Sequence, residues 1–356
     1  MGQQKLILNS LAARQRWVKC LKSHSHNGCG STAKRRRAIL QPFFCPREAI
    51  PLLKSCVLAA LFGSASALLA QQPPHATGVI HTTDVDLGYE TYGEQKGNAL
   101  PVIAVNGGPG LPHAYMVMND MWLQVAAHRL VIFYDPRGTG DSKHIAANAR
   151  QDMDAQVADL DAVRAHLGLD RVVLVGDSFG GLISMAYAAK YPEHIAKLVL
   201  SDSAPPAWKD MVHLLPQTFP DIEEEDALAA KKLGENSDAA AHVALRDHMR
   251  MIFYSPEKRE EYVAKMGDLG FEPAVSNAVS KATENIDLTA DLAKFNFPTL
   301  VITGRYDMNV APLVAWHIAH EIPGAKLIFF EKSSHLPSYE EPERYRQVLE
   351  EFLDGR

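Results

Sequence analysis

A single serine stands between glycines in GDSFGG (176–181), directly after the apolar run RVVLV (171–175) and before the helix-forming stretch LISMAYAAKY (182–191). Strand, tight turn and helix are what a nucleophile elbow requires: glycines relieve a crowded backbone, the serine is pushed out at the sheet edge, and the helix N-terminus favours nearby negative charge. The G-x-S-x-G match alone would also fit a glycine-rich turn with an idle serine, so its weight rests on partners elsewhere in the chain.

A serine hydroxyl becomes a good nucleophile when a histidine takes its proton and a carboxylate orients that histidine and stabilises the imidazolium. Around an elbow of this kind the partners follow in the order serine, acid, histidine. Of the 15 histidines, His335 is the one in a loop after a strand near the C-terminus, in EKSSHLPSYEEP (331–342). His317 and His320 fall in the helical stretch VAWHIAHEI (314–322) and read as packing or surface groups. For the acid, Asp307 ends GRYD directly after PTLVIT (298–303); Asp202, after AKLVLS (196–201), is the rival, since an acid one strand earlier could also reach. Acyl transfer also needs donors for the developing oxyanion. The run Asn106-Gly107-Gly108-Pro109-Gly110 follows PVIAV (101–105), where side-chain-free residues let backbone N–H groups approach a substrate. The N–H of Phe179, after the nucleophile, is expected to be the second donor.

These residues need a scaffold, and the hydropathy pattern supplies one. Residues 78–93 read as a β-hairpin, and the runs at 101–108, 129–135, 171–177, 196–202, 298–304 and 325–331 each end at Gly, Asp or Glu. Continuous β-branched and apolar runs suit strands buried on both faces of a parallel sheet. Met153, Val157 and Leu160 recur at helical spacing, as do Tyr345, Val348, Leu349 and Phe352 after Pro342. The alternation predicts a doubly wound α/β domain over 78–205 and 291–356. It breaks over 206–290, where helical stripes such as Leu245, Met249 and Ile252 occur without strands; this segment is expected to be a helical cap inserted between two strands, over the sheet's carboxyl edge.

Charge divides the chain. The net of -6 sums a basic leader, residues 1–70, with eleven basic side chains and one acid, Glu48, and a remainder with 25 basic and 41 acidic ones. An acidic body argues against nucleic acid as a partner. Cys20, Cys29, Cys45 and Cys56 all lie in the leader, at spacings that match no C-x-x-C pair, so the body depends on neither disulfides nor thiolate metal sites. Residues 55–69, SCVLAALFGSASALL, are uncharged, follow Lys54 and contain the small residues Ala65-Ser66-Ala67. That reads as a secretory h-region and cleavage site, too short for the ~18 apolar residues of a spanning helix. A secreted or periplasmic enzyme without stable membrane association after cleavage is expected, an uncleaved membrane anchor or a disordered basic arm being the alternatives. The h-region lies unusually far from Met1, which would follow if translation starts near Leu52 or Leu53.

With these motifs together, residues 78–356 resemble the α/β-hydrolase superfamily and, within it, the proline iminopeptidase (prolyl aminopeptidase-like) serine peptidases. NGGPG looks like that family's HGGPG, YDPRGTGDS (134–142) is similar to its DQRGxGxS, and the GDSFGG elbow and the GRYD-then-SSH order also match. The resemblance implies an α/β-hydrolase fold, a mostly parallel doubly wound sheet with an inserted helical cap. It carries over Ser178, Asp307 and His335 as a catalytic triad and Gly108 with Phe179 as oxyanion donors, with Asp135 and Arg137 ordering loops beside the elbow. Asn106 stands where the family usually has His, and Ser334 where Gly usually precedes the histidine. Family members grip the free amino terminus of the substrate with cap glutamates. Here Glu223, Glu224 and Glu225 are the acidic cluster in a suitable region, Glu224 and Glu225 being the substrate-binding candidates, though acids also favour the first turn of any helix. The expected activity is an exported, cofactor-independent serine aminopeptidase releasing N-terminal residues, preferably proline, from short peptides. A carboxylesterase or other small-molecule acyl hydrolase on the same residues is the alternative, and a non-catalytic binding protein of the same fold a third reading. No metal motif of the H-E-x-x-H kind is present.

Overall fold

The computed structural model describes residues 73–235, 237–267 and 269–355. The leader, with its four cysteines and the apolar run 55–69, lies outside the described residues. Eight strands form one sheet in the order β1-β2-β4-β3-β5-β6-β7-β8. β1 (His75–His81) and β2 (Asp86–Tyr92) make the antiparallel hairpin, and β2 also runs antiparallel to β4 (Val131–Tyr134). The remaining pairs, through β3 (Val102–Val105), β5 (Val172–Asp177), β6 (Ile195–Ser201), β7 (Thr299–Gly304) and β8 (Lys326–Phe330), are parallel. Each strand expected from the apolar runs is present, with its ends shifted by a few residues.

Because strand side chains alternate, the apolar runs feed two cores at once. Ile103, Val105, Ile132, Val172 and Leu174 face one side, against helices α2 (Met153–His166), α3 (Phe179–Lys190) and α8 (Pro312–Glu321). Val102, Ala104, Val131, Val173 and Val175 face the other, against α1 (Met121–Ala126) and α9 (Pro342–Asp354). Each such side chain is essentially fully buried, and each Val, Ile or Leu among them contributes about 1.5–3 kcal/mol of hydrophobic stabilisation. The helices start where local chemistry allows. The Asp152 carboxylate accepts the Ala155 N–H at 3.1 Å to cap α2, and Pro342 opens α9, whose Tyr345, Leu349 and Phe352 are buried. His317 and His320 lie exposed on α8.

Between β6 and β7 the chain makes helices α4 (Pro220–Leu233), α5 (Asp238–Met251), α6 (Pro256–Met266) and α7 (Pro273–Thr283). Their buried face, including Met249, Ile252, Tyr262 and Met266, packs on Leu111 and Tyr115 after β3 and on Leu336 and Tyr339 after β8. No helix among the described residues is long and apolar enough to cross a membrane.

Arg137, 2% exposed, ties the loop after β4 to α2. It donates to both Asp159 oxygens, at 2.7 and 2.6 Å, and to the Arg150 carbonyl at 2.6 Å. Burial pushes the Asp159 carboxyl up to about 6, against the pull of the guanidinium. Removing the cation would leave that carboxylate buried and unpaired, and Arg137→Met is therefore expected to destabilise the fold by about 3–5 kcal/mol. The double variant Arg137→Met/Asp159→Leu should recover a large part of the loss in urea denaturation. Equal losses in single and double variants would show that the pair is not what holds this loop.

Candidate active site

β3 is flanked by β4 on one side and β5 on the other, so the chain reverses its direction of strand addition there. Such a switch point opens a crevice at the carboxyl ends of the strands. The Asn106–Gly110 loop leaves β3 and the elbow leaves β5, so both motifs arrive at this crevice.

At the elbow Ser178 adopts φ 52°, ψ -118°, a left-handed conformation that side chains rarely take. Its neighbours must be glycine for a steric reason. A Cβ at Gly176 would stand 2.6 Å from the Gly180 carbonyl oxygen, and one at Gly180 would run into the carbonyls of Val105 and Asn106. The Ser178 N–H donates to the Ser201 carbonyl at 3.0 Å, and its own carbonyl accepts from Gly181 and Ala204 at 3.0 and 2.9 Å.

His335 reaches the serine from the loop after β8, with Nε2 3.1 Å from Ser178 Oγ and Nδ1 2.7 Å from Asp307 Oδ2. Asp307 is fully buried, and its other oxygen accepts the N–H groups of Asn309 and Val310 at 2.8 and 2.9 Å. Burial alone would push the His335 imidazole down, but the adjoining Asp307 carboxylate outweighs it and holds the imidazole above its ordinary value of 6.5. The rival acid makes other bonds: Asp202 accepts the Gly304 N–H at 2.8 Å and the Ser201 hydroxyl at 3.1 Å. Burial, and then the neighbouring Asp307 charge, raise its carboxyl well above the usual range. Ligand atoms of Asp202, Asp307 and His335 lie within 4.8 Å of one another, the one metal-sized group among the described residues, and the Asp307–His335 bond already occupies it.

Among the described residues, the Phe179 and Gly108 N–H groups make no hydrogen bond within the chain, which leaves both free for an oxyanion. Gly108 and Ser178 border a cavity of two lobes. One, of about 190 Å³, is walled by Leu111, Met249, Phe271 and Leu336 and contains His335 and Asp177. The other, of about 410 Å³, is walled by Phe179, Trp208, Met211 and His213. His248 of α5 and Asn309 border both lobes. Burial pushes the His248 imidazole down to about 3, so it is neutral in the working range.

Asp135 binds the backbone and Nδ1 of His113 at 2.9 and 2.7 Å and the Asp141 N–H at 2.8 Å, and His113 Nε2 meets Glu90 at 2.7 Å. Despite burial, these two acids hold His113 up at about 9, and the resulting clamp fixes the end of the NGGPG loop. Asn106 donates to the Leu111 carbonyl at 2.7 Å inside that loop, and the Ser334 N–H donates to Glu340 at 2.7 Å. Glu224 and Glu225 are not brought to the cavity. Both are exposed on the first turns of α4, where the helix start at Pro220 turns them to solvent, and neither lines either lobe. Asp177, Tyr115, His248, Asn309 and Glu340 are the site residues that sequence reasoning passed over. Asp177 alone carried a signal, as the variable position within G-x-S-x-G.

Residues 101–342 match the α/β-hydrolase fold family. The chain is 34% identical over 297 residues to a proline iminopeptidase of Clostridium botulinum, covering 75% of this chain and 96% of that one. A proline iminopeptidase of Saccharolobus solfataricus is 30% identical over 283 residues, covering 76% and 89%. Among solved structures, a thermophilic esterase from Thermogutta terrifontis superposes with a TM-score of 0.61 at 27% identity, over 79% of this chain and 98% of that one.

The geometry separates the two acids. Asp307→Ala is expected to lower kcat/KM by about 10³–10⁴-fold, because His335 loses its orienting partner. Asp202→Ala should mainly cost stability, about 1–3 kcal/mol, by orphaning the Gly304 N–H. The base must be neutral to accept a proton, and its pKa is raised, so wild-type kcat/KM should climb with pH through a midpoint above 6.5. An active Asp307→Ala enzyme, or an acid limb centred well below 6.5, would contradict the assignment.

Proposed function

The chain belongs to the α/β-hydrolase fold family and is a serine hydrolase of the proline iminopeptidase type, and from that premise we propose that it removes N-terminal residues, preferably proline, from short peptides. The observation that carries this reading is the continuous hydrogen-bonded line from Ser178 through His335 to Asp307 at the junction of two small lobes beneath the cap. Ser178 Oγ attacks the carbonyl carbon of the first residue while His335 Nε2 takes its proton. Asp307 stabilises the imidazolium, and the Gly108 and Phe179 N–H groups receive the oxyanion, each such donor contributing roughly 2.7–4 kcal/mol at the transition state. His335 then returns the proton to the departing amine, and water, activated by the same histidine, hydrolyses the acyl-enzyme. The smaller lobe, of about 190 Å³ with walls of Leu111, Met249, Phe271 and Leu336, suits one compact residue ahead of the scissile bond. The larger lobe suits the leaving portion.

One observation favours a second reading, a carboxylesterase. The glutamates of α4 that the resemblance assigned to the substrate amine stand away from the cavity, so a grip on a charged terminus does not come from them. The complete serine, histidine and aspartate line weighs against a binding protein without activity. We further infer export, from the uncharged run 55–69 with its small residues at 65–67.

A substrate panel on the purified body decides between the readings. An aminopeptidase should cleave proline p-nitroanilide and lose at least about 100-fold in kcat/KM when the amine is acetylated, since a lost charge-assisted contact has that order of cost. An unchanged rate on the blocked substrate would make the enzyme an esterase or general amidase. For export, the N-terminus of the mature chain, read by mass spectrometry from expressing cells, should fall after residue 65; an intact leader on the cell-associated protein would refute it.

A further inference from the structure

An N-terminal residue is recognised by its ammonium, which sits two bonds from the carbonyl carbon that Ser178 attacks. Its acceptor must therefore adjoin the nucleophile. Among the described residues lining the two lobes, one is acidic: Asp177, next to Ser178 in the elbow and only 6% exposed. Tyr115 donates to its Oδ2 at 2.5 Å, and the Gly107 N–H donates to the Tyr115 hydroxyl at 2.5 Å. The other oxygen, Oδ1, has no protein partner among the described residues and is not sealed off from the lobe.

A second observation points to a ligand at the same place. Tyr262 of cap helix α6 is fully buried and lines the same lobe, yet its hydroxyl has no hydrogen-bond partner among the described residues. A buried hydroxyl left unpaired costs about 1–3 kcal/mol, a cost that a bound donor removes. Resting on the aminopeptidase reading, the geometry points to Asp177 Oδ1 and the Tyr262 hydroxyl as the acceptors of the substrate's α-ammonium. A protonated N-terminal proline carries two N–H bonds, which two acceptors satisfy, and its ring meets the apolar walls formed by Leu111, Met249 and Leu336. The electrostatics agree: burial holds the Asp177 carboxyl up at about 6, and an ammonium drawn against it favours the ionised form. The nearby His248 is neutral and does not repel the incoming cation.

The test uses two anilides of the same shape, proline p-nitroanilide and cyclopentanecarboxylic acid p-nitroanilide, which lacks the nitrogen. The readout is the ratio of their kcat/KM values, which cancels general damage to the elbow. Wild-type enzyme should prefer the proline compound by about 100-fold or more, as expected for a buried charge-assisted contact. Asp177→Asn should bring the ratio to within a few-fold of unity, chiefly through KM. Tyr262→Phe, which removes a hydroxyl that bonds nothing in the free enzyme, should lower the ratio by about tenfold. A preserved ratio in either variant would overturn the assignment while leaving the aminopeptidase reading intact; if Asp177→Asn slowed both anilides equally, the residue would serve only to hold Tyr115 and Gly107. A wild-type enzyme with no preference would overturn the assignment and the aminopeptidase reading together.

Discussion

Everything in this molecule is arranged around one backbone constraint, the sharp turn at Ser178. Holding a serine at φ 52° costs of the order of 1–3 kcal/mol, and the surrounding structure must over-determine it. It does so from three directions. The Ser201 carbonyl fixes the serine's N–H from β6, and Gly181 and Ala204 bind its carbonyl from α3 and from the loop after β6. Behind the turn, β5 is buried along its whole length with a core on each face. The glycines at 176 and 180 then follow from contact distances, because α3 must pass close to the carbonyls of Val105 and Asn106 for the serine to project. The same close approach brings the NGGPG loop beside the serine, so the elbow and the free N–H groups are consequences of one packing arrangement.

Three buried carboxyl groups crowd one imidazole beside this turn. Asp177, Asp202 and Asp307 interact electrostatically, and like charges in a desolvated site cannot all ionise cheaply. The three are served by different hydrogen-bond donors. Asp307 receives two backbone N–H groups and the His335 ring, whereas Asp202 receives one N–H and a hydroxyl and is pushed well up. Asp177 receives a tyrosine hydroxyl, and burial holds it at about 6. Position relative to donors, rather than distance to the histidine alone, therefore distinguishes the residues that Asp307 and Asp202 become.

This also explains what could be read from the residues in order. The strands were legible because a sheet buried on both faces demands uninterrupted β-branched runs, and Val102–Val105 or Val172–Val175 have no other good use. Ser178, Asp307 and His335 were legible because each ends or follows such a run. The polar contacts made between these elements were not. Tyr115 and Asp177 are 62 positions apart, and their bond depends on how a loop folds back, which no periodicity encodes. Glu224 and Glu225 show the converse case. Acids after a helix-opening proline satisfy the helix dipole whether or not a substrate is near, so their type and region could not fix their direction.

The cap is fastened to the loop that carries His335 rather than laid over it. Glu340, in the short helical turn after His335, accepts the N–H groups of Tyr254 and Ser255 between α5 and α6, at 2.9 and 2.8 Å, and that of Ser334 at 2.7 Å. The His335 N–H itself donates to the Ile252 carbonyl of the same cap segment at 3.2 Å. Burial raises the Glu340 carboxyl to about 7, and three backbone donors pull against that rise. The segment that carries His335 and the segment that walls the smaller lobe are thus one hydrogen-bonded unit. A shift of α5 that enlarged the lobe by an ångström would be transmitted to His335, whose bond to Ser178 at 3.1 Å has little slack. The placement of the cap and the distance from His335 to Ser178 are therefore coupled in this fold, which restricts how far the cap can be remodelled without moving His335.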